Sequence, residues 1–148
     1  MRLYEELLDL VGNTPLVRLR TGVPEVGPRA YVKLEFKNPT GSVKDRMIQY
    51  VVRKALKEGR LKPGDTIVDN TSGNTGSSIG MVAARYGLKA IVTTPEKTSK
   101  EKVDLIRSYG TEVIVTPTER SHEDPEGCYM VARRLARENG YFDIDQYN

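Results

Sequence analysis

The spacing of apolar residues changes along the chain. Residues 16–20 (LVRLR) alternate between apolar and polar, and residues 30–36 (AYVKLEF) follow a similar pattern, so both segments predict short strands. From residue 43 to residue 58 apolar residues recur every three or four positions, which is typical of an amphipathic helix. The chain is therefore predicted to begin with two strands and to continue into a helix.

The remainder of the chain repeats short apolar strands and amphipathic helices. Strands are predicted at 66–69, 89–93, 112–116 and 141–144, and helices at 74–86, 99–109 and 125–138. A glycine stands at or just beyond the end of each predicted helix, where helices commonly stop. Alternation of strands and helices with short connections indicates the α/β class: a parallel sheet with helices on both faces, in three α/β/α layers.

The N-terminal residues contain a further apolar group. Its members are Leu3, Tyr4, Leu7, Leu8 and Leu10. Their spacing favours an N-terminal helix that packs against another surface, such as a second subunit. Acidic residues interrupt this stretch, so it does not resemble a secretory signal, and a cytoplasmic location is expected.

Composition excludes several kinds of site and partner. The chain has 148 residues, 38% of them hydrophobic and 29% charged, which is ordinary for a globular domain. No apolar run approaches the ~20 residues that span a bilayer, so no membrane partner is expected. Cys128 is the only cysteine and His122 the only histidine, so an internal disulfide, a thiolate metal cluster and a multi-histidine metal site are excluded. Cys128 and Met130 are expected in the core, and His122 in solvent.

The charge pattern argues against a nucleic-acid partner. The formal net charge is only +3, and basic residues are interleaved with acidic ones, as in residues 97–102 (KTSKEK). Few aromatic residues lie beside the basic ones. A mild positive excess is instead compatible with small anionic ligands.

The first candidate for chemistry is the loop at residues 38–46 (NPTGSVKDR). Ser42 followed by Asp45 predicts a capping box, which places Lys44 in the first helical turn. A helix N-terminus carries a partial positive charge, so a cation is unfavourable there. The position suits an amine that must be neutral in order to attack an aldehyde. On the loop alone, an ordinary surface lysine is an equally good interpretation.

The second candidate is the loop at residues 71–76 (TSGNTG), between a predicted strand and a predicted helix. Small residues at such a turn expose backbone N–H groups at a helix N-terminus, which favours anion binding. The hydroxyl groups of Thr71, Ser72 and Thr75 and the amide of Asn74 add hydrogen-bonding groups. The loop fits neither a Walker A nor a G-x-G-x-x-G pattern, and alone it could be simple helix capping.

Together the two loops resemble one family, the fold-type II pyridoxal-phosphate enzymes, and most closely cysteine synthases and cystathionine β-synthases. Residues 11–16 (VGNTPL) resemble the opening motif of that family. Residues 33–46 (KLEFKNPTGSVKDR) resemble its lysine segment, and residues 67–80 (IVDNTSGNTGSSIG) its asparagine loop. The resemblance covers nearly the whole chain, with the motifs in the same order.

The resemblance implies a cofactor and roles for individual residues. Pyridoxal 5′-phosphate would be bound covalently by Lys44, which would later act as the base at the substrate Cα, and Asn74 would hydrogen-bond the 3′ oxygen of the cofactor. The substrate carboxylate would be bound by the other residues of the asparagine loop, together with one residue near the end of the chain. These are Thr71, Ser72, Gly73 and Thr75, with Gln146.

The resemblance also implies that this chain corresponds to the N-terminal half of such an enzyme. The family's phosphate-binding loop, and its partner for the pyridine nitrogen, would lie beyond residue 148. Residues 1–43 would belong to the larger domain, residues 44–145 would form the small mobile domain, and residues 146–148 would begin the return to the larger domain. A homodimer is expected for the full-length enzyme, and little or no activity for the isolated chain.

The predicted function is β-replacement on serine or an activated serine, with a sulfur nucleophile, giving cysteine or cystathionine. A serine or threonine deaminase of the same fold is one alternative. A non-catalytic fragment that serves as a binding module is another.

Overall fold

The computed structural model describes residues 3–24, 26–118, 120–121 and 123–146. The strands are β1 (Leu16–Arg18), β2 (Tyr31–Lys33), β3 (Thr66–Asn70), β4 (Lys89–Pro95), β5 (Glu112–Thr116) and β6 (Phe142–Asp143). The helices are α1 (Lys44–Lys57), α2 (Asn74–Tyr86), α3 (Lys100–Ser108) and α4 (Cys128–Asn139). Every strand and helix predicted from residue 43 onward is present, with ends that shift by up to three residues.

Strands β3 to β6 form one parallel sheet in the order β5-β4-β3-β6. In the centre, Ile67 of β3 is paired with Ala90 of β4, and Asp69 with Val92. Each strand is followed by a helix that returns the chain to the same edge of the sheet, so the loops after β3 and β4 lie together. The prediction of a parallel α/β sheet is confirmed.

Helices cover both faces of this sheet. On one face Ile67 and Val92 belong to the same buried cluster as Ile79 and Val82 of α2. On the other face α4 packs against β3 and β4. There the Thr93 hydroxyl donates a 2.6 Å hydrogen bond to the Cys128 carbonyl oxygen at the start of α4. The three-layer arrangement is therefore confirmed.

Helix α2 lies unusually close to the segment that joins α3 to β5. A Cβ atom on Gly80 would come within 2.5 Å of the Thr111 Oγ1 and 2.8 Å of the Tyr109 Cβ. One turn earlier, a Cβ atom on Gly76 would come within 2.7 Å of Ile106 Cδ1. Two glycines one turn apart thus permit the close approach that buries this side of α2.

The first 43 residues depart most from the sequence prediction. Strands β1 and β2 are three residues each and pair antiparallel with one another, and all six residues are exposed. The predicted strand at 30–36 ends at Lys33 because the chain turns into a 3-10 helix at Glu35–Lys37. Near the N-terminus only a 3-10 turn, Leu7–Leu10, forms instead of a longer helix, and Leu8 is its one buried residue.

An ionic cluster joins this N-terminal segment to α1. Glu35 receives hydrogen bonds from Arg46 (2.8 and 3.0 Å), from the Thr14 hydroxyl (2.7 Å) and from the Asn38 amide (2.8 Å). Hydrogen bonds from Arg46 and then from Thr14 lower the pKa of Glu35 to about 2. The Asn38 Oδ1 in turn accepts a 2.8 Å bond from the Gly12 N–H. The opening motif and the lysine segment are therefore one connected unit.

The region before and within α4 differs from prediction in detail. Helix α4 begins at Cys128 rather than at Pro125, which lies in the preceding turn. Cys128 and Met130 are half-buried, so their assignment to the core was too strong. The prediction for His122 falls outside the described residues. Within the described part of the chain, no helix is long and apolar enough to cross a membrane.

Candidate active site

Lys44 is the first residue of α1 and is half-buried. Its backbone N–H donates a 3.1 Å hydrogen bond to the Ser42 hydroxyl oxygen, so Ser42 does cap the start of the helix. The reciprocal half of the predicted capping box is absent, because the Asp45 carboxylate bonds to Thr40 and Ser78 instead. The predicted position of the lysine is confirmed, whereas the predicted role of Asp45 is wrong.

Asp45 attaches the lysine loop to α2. Its side chain is fully buried and accepts hydrogen bonds from the Thr40 N–H (2.8 Å), the Thr40 hydroxyl (2.5 Å) and the Ser78 hydroxyl (2.5 Å). The Ser78 Oγ also lies 3.1 Å from the Asn74 carbonyl oxygen. A short path of polar contacts therefore runs from the residue next to Lys44 to the first residue of α2.

The asparagine loop follows β3 and turns sharply into α2. The Gly73 N–H donates a 3.1 Å hydrogen bond to the Thr71 Oγ1, which holds the turn closed. Thr71, Gly73 and Thr75 are buried, whereas Ser72 and Asn74 are exposed. The loop thus presents two polar side chains to solvent at the N-terminus of a helix, where an anion is favoured.

A lysine of α3 lies directly over this loop. A Cβ atom on Gly73 would come within 2.9 Å of the Lys102 Cδ and 3.3 Å of its Nζ. Gly73 therefore leaves room for the Lys102 side chain, whose charge lies beside the start of α2.

Gln146 connects the loop to the end of β3. Its Oε1 accepts a 2.8 Å hydrogen bond from the Thr75 hydroxyl, and its Nε2 donates a 2.6 Å bond to the Asn70 carbonyl oxygen. The structure therefore brings Gln146 into contact with the asparagine loop.

Asp69 is a site residue that the sequence did not single out. It lies on β3, two residues before the asparagine loop, and its side chain is only 1% exposed. Burial raises its pKa to about 7, and the nearby charges of Asp143 and Asp145 add to the increase, whereas the Asn70 N–H and the Lys44 charge oppose it. A buried acid therefore lies within electrostatic range of the candidate lysine.

The available signals for the missed residues were weak. Asp69 appeared only as a polar residue at the end of an apolar strand, an edge where ligands bind in open α/β sheets. Asp45 was interpreted through local capping, although its partners are tertiary contacts. Ser78 follows Asn74 by one helical turn, which is the spacing that places two residues on one face.

These residues fit a cofactor that binds covalently through an amine. Lys44, half-buried at one loop, and Asn74, exposed at the other, are held at the same end of the domain by the Asp45–Ser78 contacts. Hydroxyl groups and a helix N-terminus beside them suit the carboxylate of an amino acid. The donor set therefore matches the pyridoxal-phosphate chemistry that the sequence resemblance implies.

Comparison with known proteins supports the same family. The family model described as "Pyridoxal-phosphate dependent enzyme" matches residues 7–148. The chain is 43% identical over 143 residues to the cysteine synthase of Staphylococcus aureus, covering 97% of this chain and 45% of that protein. It is 42% identical over 146 residues to the cystathionine β-synthase of Saccharomyces cerevisiae, covering 96% of this chain and 29% of that protein.

Solved structures agree with the sequence relatives. An O-ureido-L-serine synthase matches with a TM-score of 0.89 at 41% identity, over 99% of this chain and 45% of that one. The chain thus spans less than half the length of the relatives it matches. Because the family match covers residues 7–148, the chain belongs to the pyridoxal-phosphate dependent enzymes.

Proposed function

We propose that the protein containing this chain catalyses a pyridoxal-phosphate-dependent β-replacement on serine or an activated serine. The observation that carries this proposal is the arrangement of Lys44 and Asn74 at two adjacent helix starts. The Asp45–Ser78 contacts hold those helix starts together. Cysteine synthases and cystathionine β-synthases among the relatives support the reaction class.

In this proposal each loop has a separate task. Lys44 holds the cofactor and moves the proton at the substrate Cα, since a neutral amine is both a nucleophile and a base. Asn74 orients the cofactor through its 3′ oxygen. When bound, the cofactor supplies an electron sink for the carbanion at Cα.

The asparagine loop is proposed to bind the substrate carboxylate. The hydroxyl groups of Ser72 and Thr75 and the N–H groups at the start of α2 are the donors, with Thr71 and Gly73 shaping the turn. Gln146 contributes through its contact with Thr75. Closure of the loop would exclude water from the reacting centre.

The second substrate is proposed to be a small sulfur nucleophile, which would add at the substrate Cβ after the β substituent has left. The product would be cysteine or cystathionine. A cytoplasmic location and a homodimeric full-length enzyme remain predictions of the sequence.

We further propose that residues 1–43 belong to a larger domain and residues 44–145 to a small mobile one, with residues 146–148 leading back to the first. The exposure of all six residues of β1 and β2 supports this division, because so short an antiparallel pair is marginal alone. In the relatives, more than half of the polypeptide lies outside the matched region. Additional polypeptide of that kind would cover the exposed pair.

Borohydride reduction in the presence of pyridoxal phosphate tests the proposed role of Lys44. Reduction fixes the covalent link, and peptide mapping then locates it. We expect the label on Lys44, and we expect Lys44→Ala to lose both the label and the visible absorption band. Lys57→Ala, at the far end of the same helix, should keep both. Label predominantly on another lysine would contradict the proposal.

A further inference from the structure

The side chain of Asp69 has an unfilled hydrogen-bonding position. One carboxyl oxygen, Oδ1, accepts a 2.8 Å hydrogen bond from the adjacent Asn70 N–H. The other, Oδ2, is buried and has no hydrogen-bond partner among the described residues. Leaving a buried acceptor unsatisfied costs roughly 1–3 kcal/mol. Such a group suggests that a partner occupies the position in another state of the protein.

The position of Asp69 in the sheet limits which partner that is. Asp69 is paired with Val92, and side chains at paired positions lie on the same face of a sheet. Val92 is in the core cluster that also contains residues of α1 and α2, so Asp69 faces the side of the domain that carries the two loops. Lys44, at the start of α1, is the only base whose charge is among the groups that act on the Asp69 carboxyl.

We propose that Asp69 is a positioning residue for Lys44, with Oδ2 accepting the Lys44 ammonium group whenever that amine is not covalently linked. The inference rests on the proposed function, since it assigns Lys44 two alternating states. A long, flexible lysine side chain that is only half-buried can move between them. The pairing would satisfy the orphan oxygen and return the amine to one fixed place.

The pairing depends on pH in a defined direction. The carboxyl attracts an ammonium group only when it is ionised, and its pKa of about 7 places that change near neutrality. Asp143 and Asp145 disfavour ionisation, whereas Lys44 favours it. Below pH 7 the pair should be absent, and above pH 7 it should hold Lys44 in its charged form.

Trace acetylation of the cofactor-free protein measures this effect without any enzyme assay. The protein is treated with limiting acetic anhydride between pH 6 and pH 8.5. Mass spectrometry of the peptides then gives the ratio of label on Lys44 to label on Lys57. In the unmodified protein we expect this ratio to fall across neutrality. In Asp69→Asn it should stay flat, leaving the ratio roughly three- to tenfold higher than in the unmodified protein at pH 8.5 and equal to it at pH 6.

A control variant separates this effect from a general change in charge. Asp104→Asn removes an exposed carboxylate on α3 and should leave the pH profile of the ratio unchanged. A flat ratio in the unmodified protein would overturn the proposal, even if Asp69→Asn failed to fold. A difference of equal size at pH 6 and pH 8.5 would also overturn it, because it would indicate a structural effect of the substitution. Borohydride mapping tests the cofactor role of Lys44 separately, so failure of one idea can be distinguished from failure of the other.

Discussion

At the scale of single residues, burial of the Asp69 carboxyl has a consequence for folding. The carboxyl of an unfolded chain titrates near pH 4, whereas the folded-state pKa of Asp69 is about 7. Between these values the folded state binds more protons than the unfolded state. Its free energy of unfolding therefore falls as the pH rises from about 4 to about 7 and is not affected further above that range.

We predict that Asp69→Asn removes this pH-dependent loss of stability. The stability of the variant relative to the unmodified protein should increase by roughly 1–3 kcal/mol between pH 4 and pH 8, since Asn cannot ionise. Urea denaturation at the two pH values measures the change. Asp104→Asn serves as the exposed control and should shift by much less. A relative stability that does not change with pH would show that Asp69 ionises normally in the folded protein.

The residues of the site differed in how readily the sequence revealed them. Lys44 and Asn74 stood at predicted helix starts, because helix periodicity and turn residues are local properties of the chain. The buried hydrogen bonds of Asp45 connect positions up to 33 residues apart. Local rules such as the capping box cannot anticipate a partner that only tertiary packing supplies.

At the scale of secondary-structure elements, the close packing of α2 depends on glycine. Alanine normally stabilises a helix by up to about 1 kcal/mol relative to glycine. At Gly80, however, the added methyl group would lie 2.5 Å from the Thr111 Oγ1 and 2.8 Å from the Tyr109 Cβ. Steric overlap of this kind outweighs helix propensity, because neither neighbour is the flexible end of a long side chain.

We therefore predict that Gly80→Ala destabilises the protein by about 1–3 kcal/mol. Thermal or urea denaturation gives the value. Ala84→Gly, at an exposed position on the same helix, isolates the propensity effect and should cost up to about 1 kcal/mol. If Gly80→Ala stabilised the protein by the amount that Ala84→Gly costs, the close approach of α2 to Thr111 would be refuted.

The elements of the sheet domain were largely predictable, whereas those of the N-terminal segment were not. Strands β3 to β5 are flanked by amphipathic helices, so the apolar pattern alone locates them. The chain after β2 instead turns into a 3-10 helix at Glu35–Lys37, where Glu35 bonds to Arg46 and Thr14. These distant partners, rather than the local alternation, determine where that strand ends.

At the scale of the whole molecule, the two sheets should differ in local stability. The parallel sheet contributes the fully buried Ile67, Val68 and Val92, whereas β1 and β2 have no buried residue. Segments with few buried contacts open at low free-energy cost, independently of global unfolding. The antiparallel pair is therefore the region that opens first.

Hydrogen exchange of this chain tests that difference. We expect the amides of β1 and β2 to exchange at least about 100-fold faster than those of β3 and β4 under native conditions. The amides of α1 serve as an internal reference, because Ile48 and Val52 anchor that helix in the core. Equal protection in the two sheets would show that the pair is stabilised independently, and would weaken the division at residue 43.

The bridge from Thr75 to Gln146 implies that ligand binding and local order are thermodynamically linked. A hydroxyl group has one proton, and that of Thr75 is already donated to the Gln146 Oε1. A carboxylate that recruits this proton must first release Gln146, which is otherwise held to the Asn70 carbonyl oxygen alone. Linkage is reciprocal, so any ligand that loosens residues 143–146 would bind more tightly when those residues are already loosened. The apparent affinity of the asparagine loop would thus depend on a segment some 70 residues further along the chain.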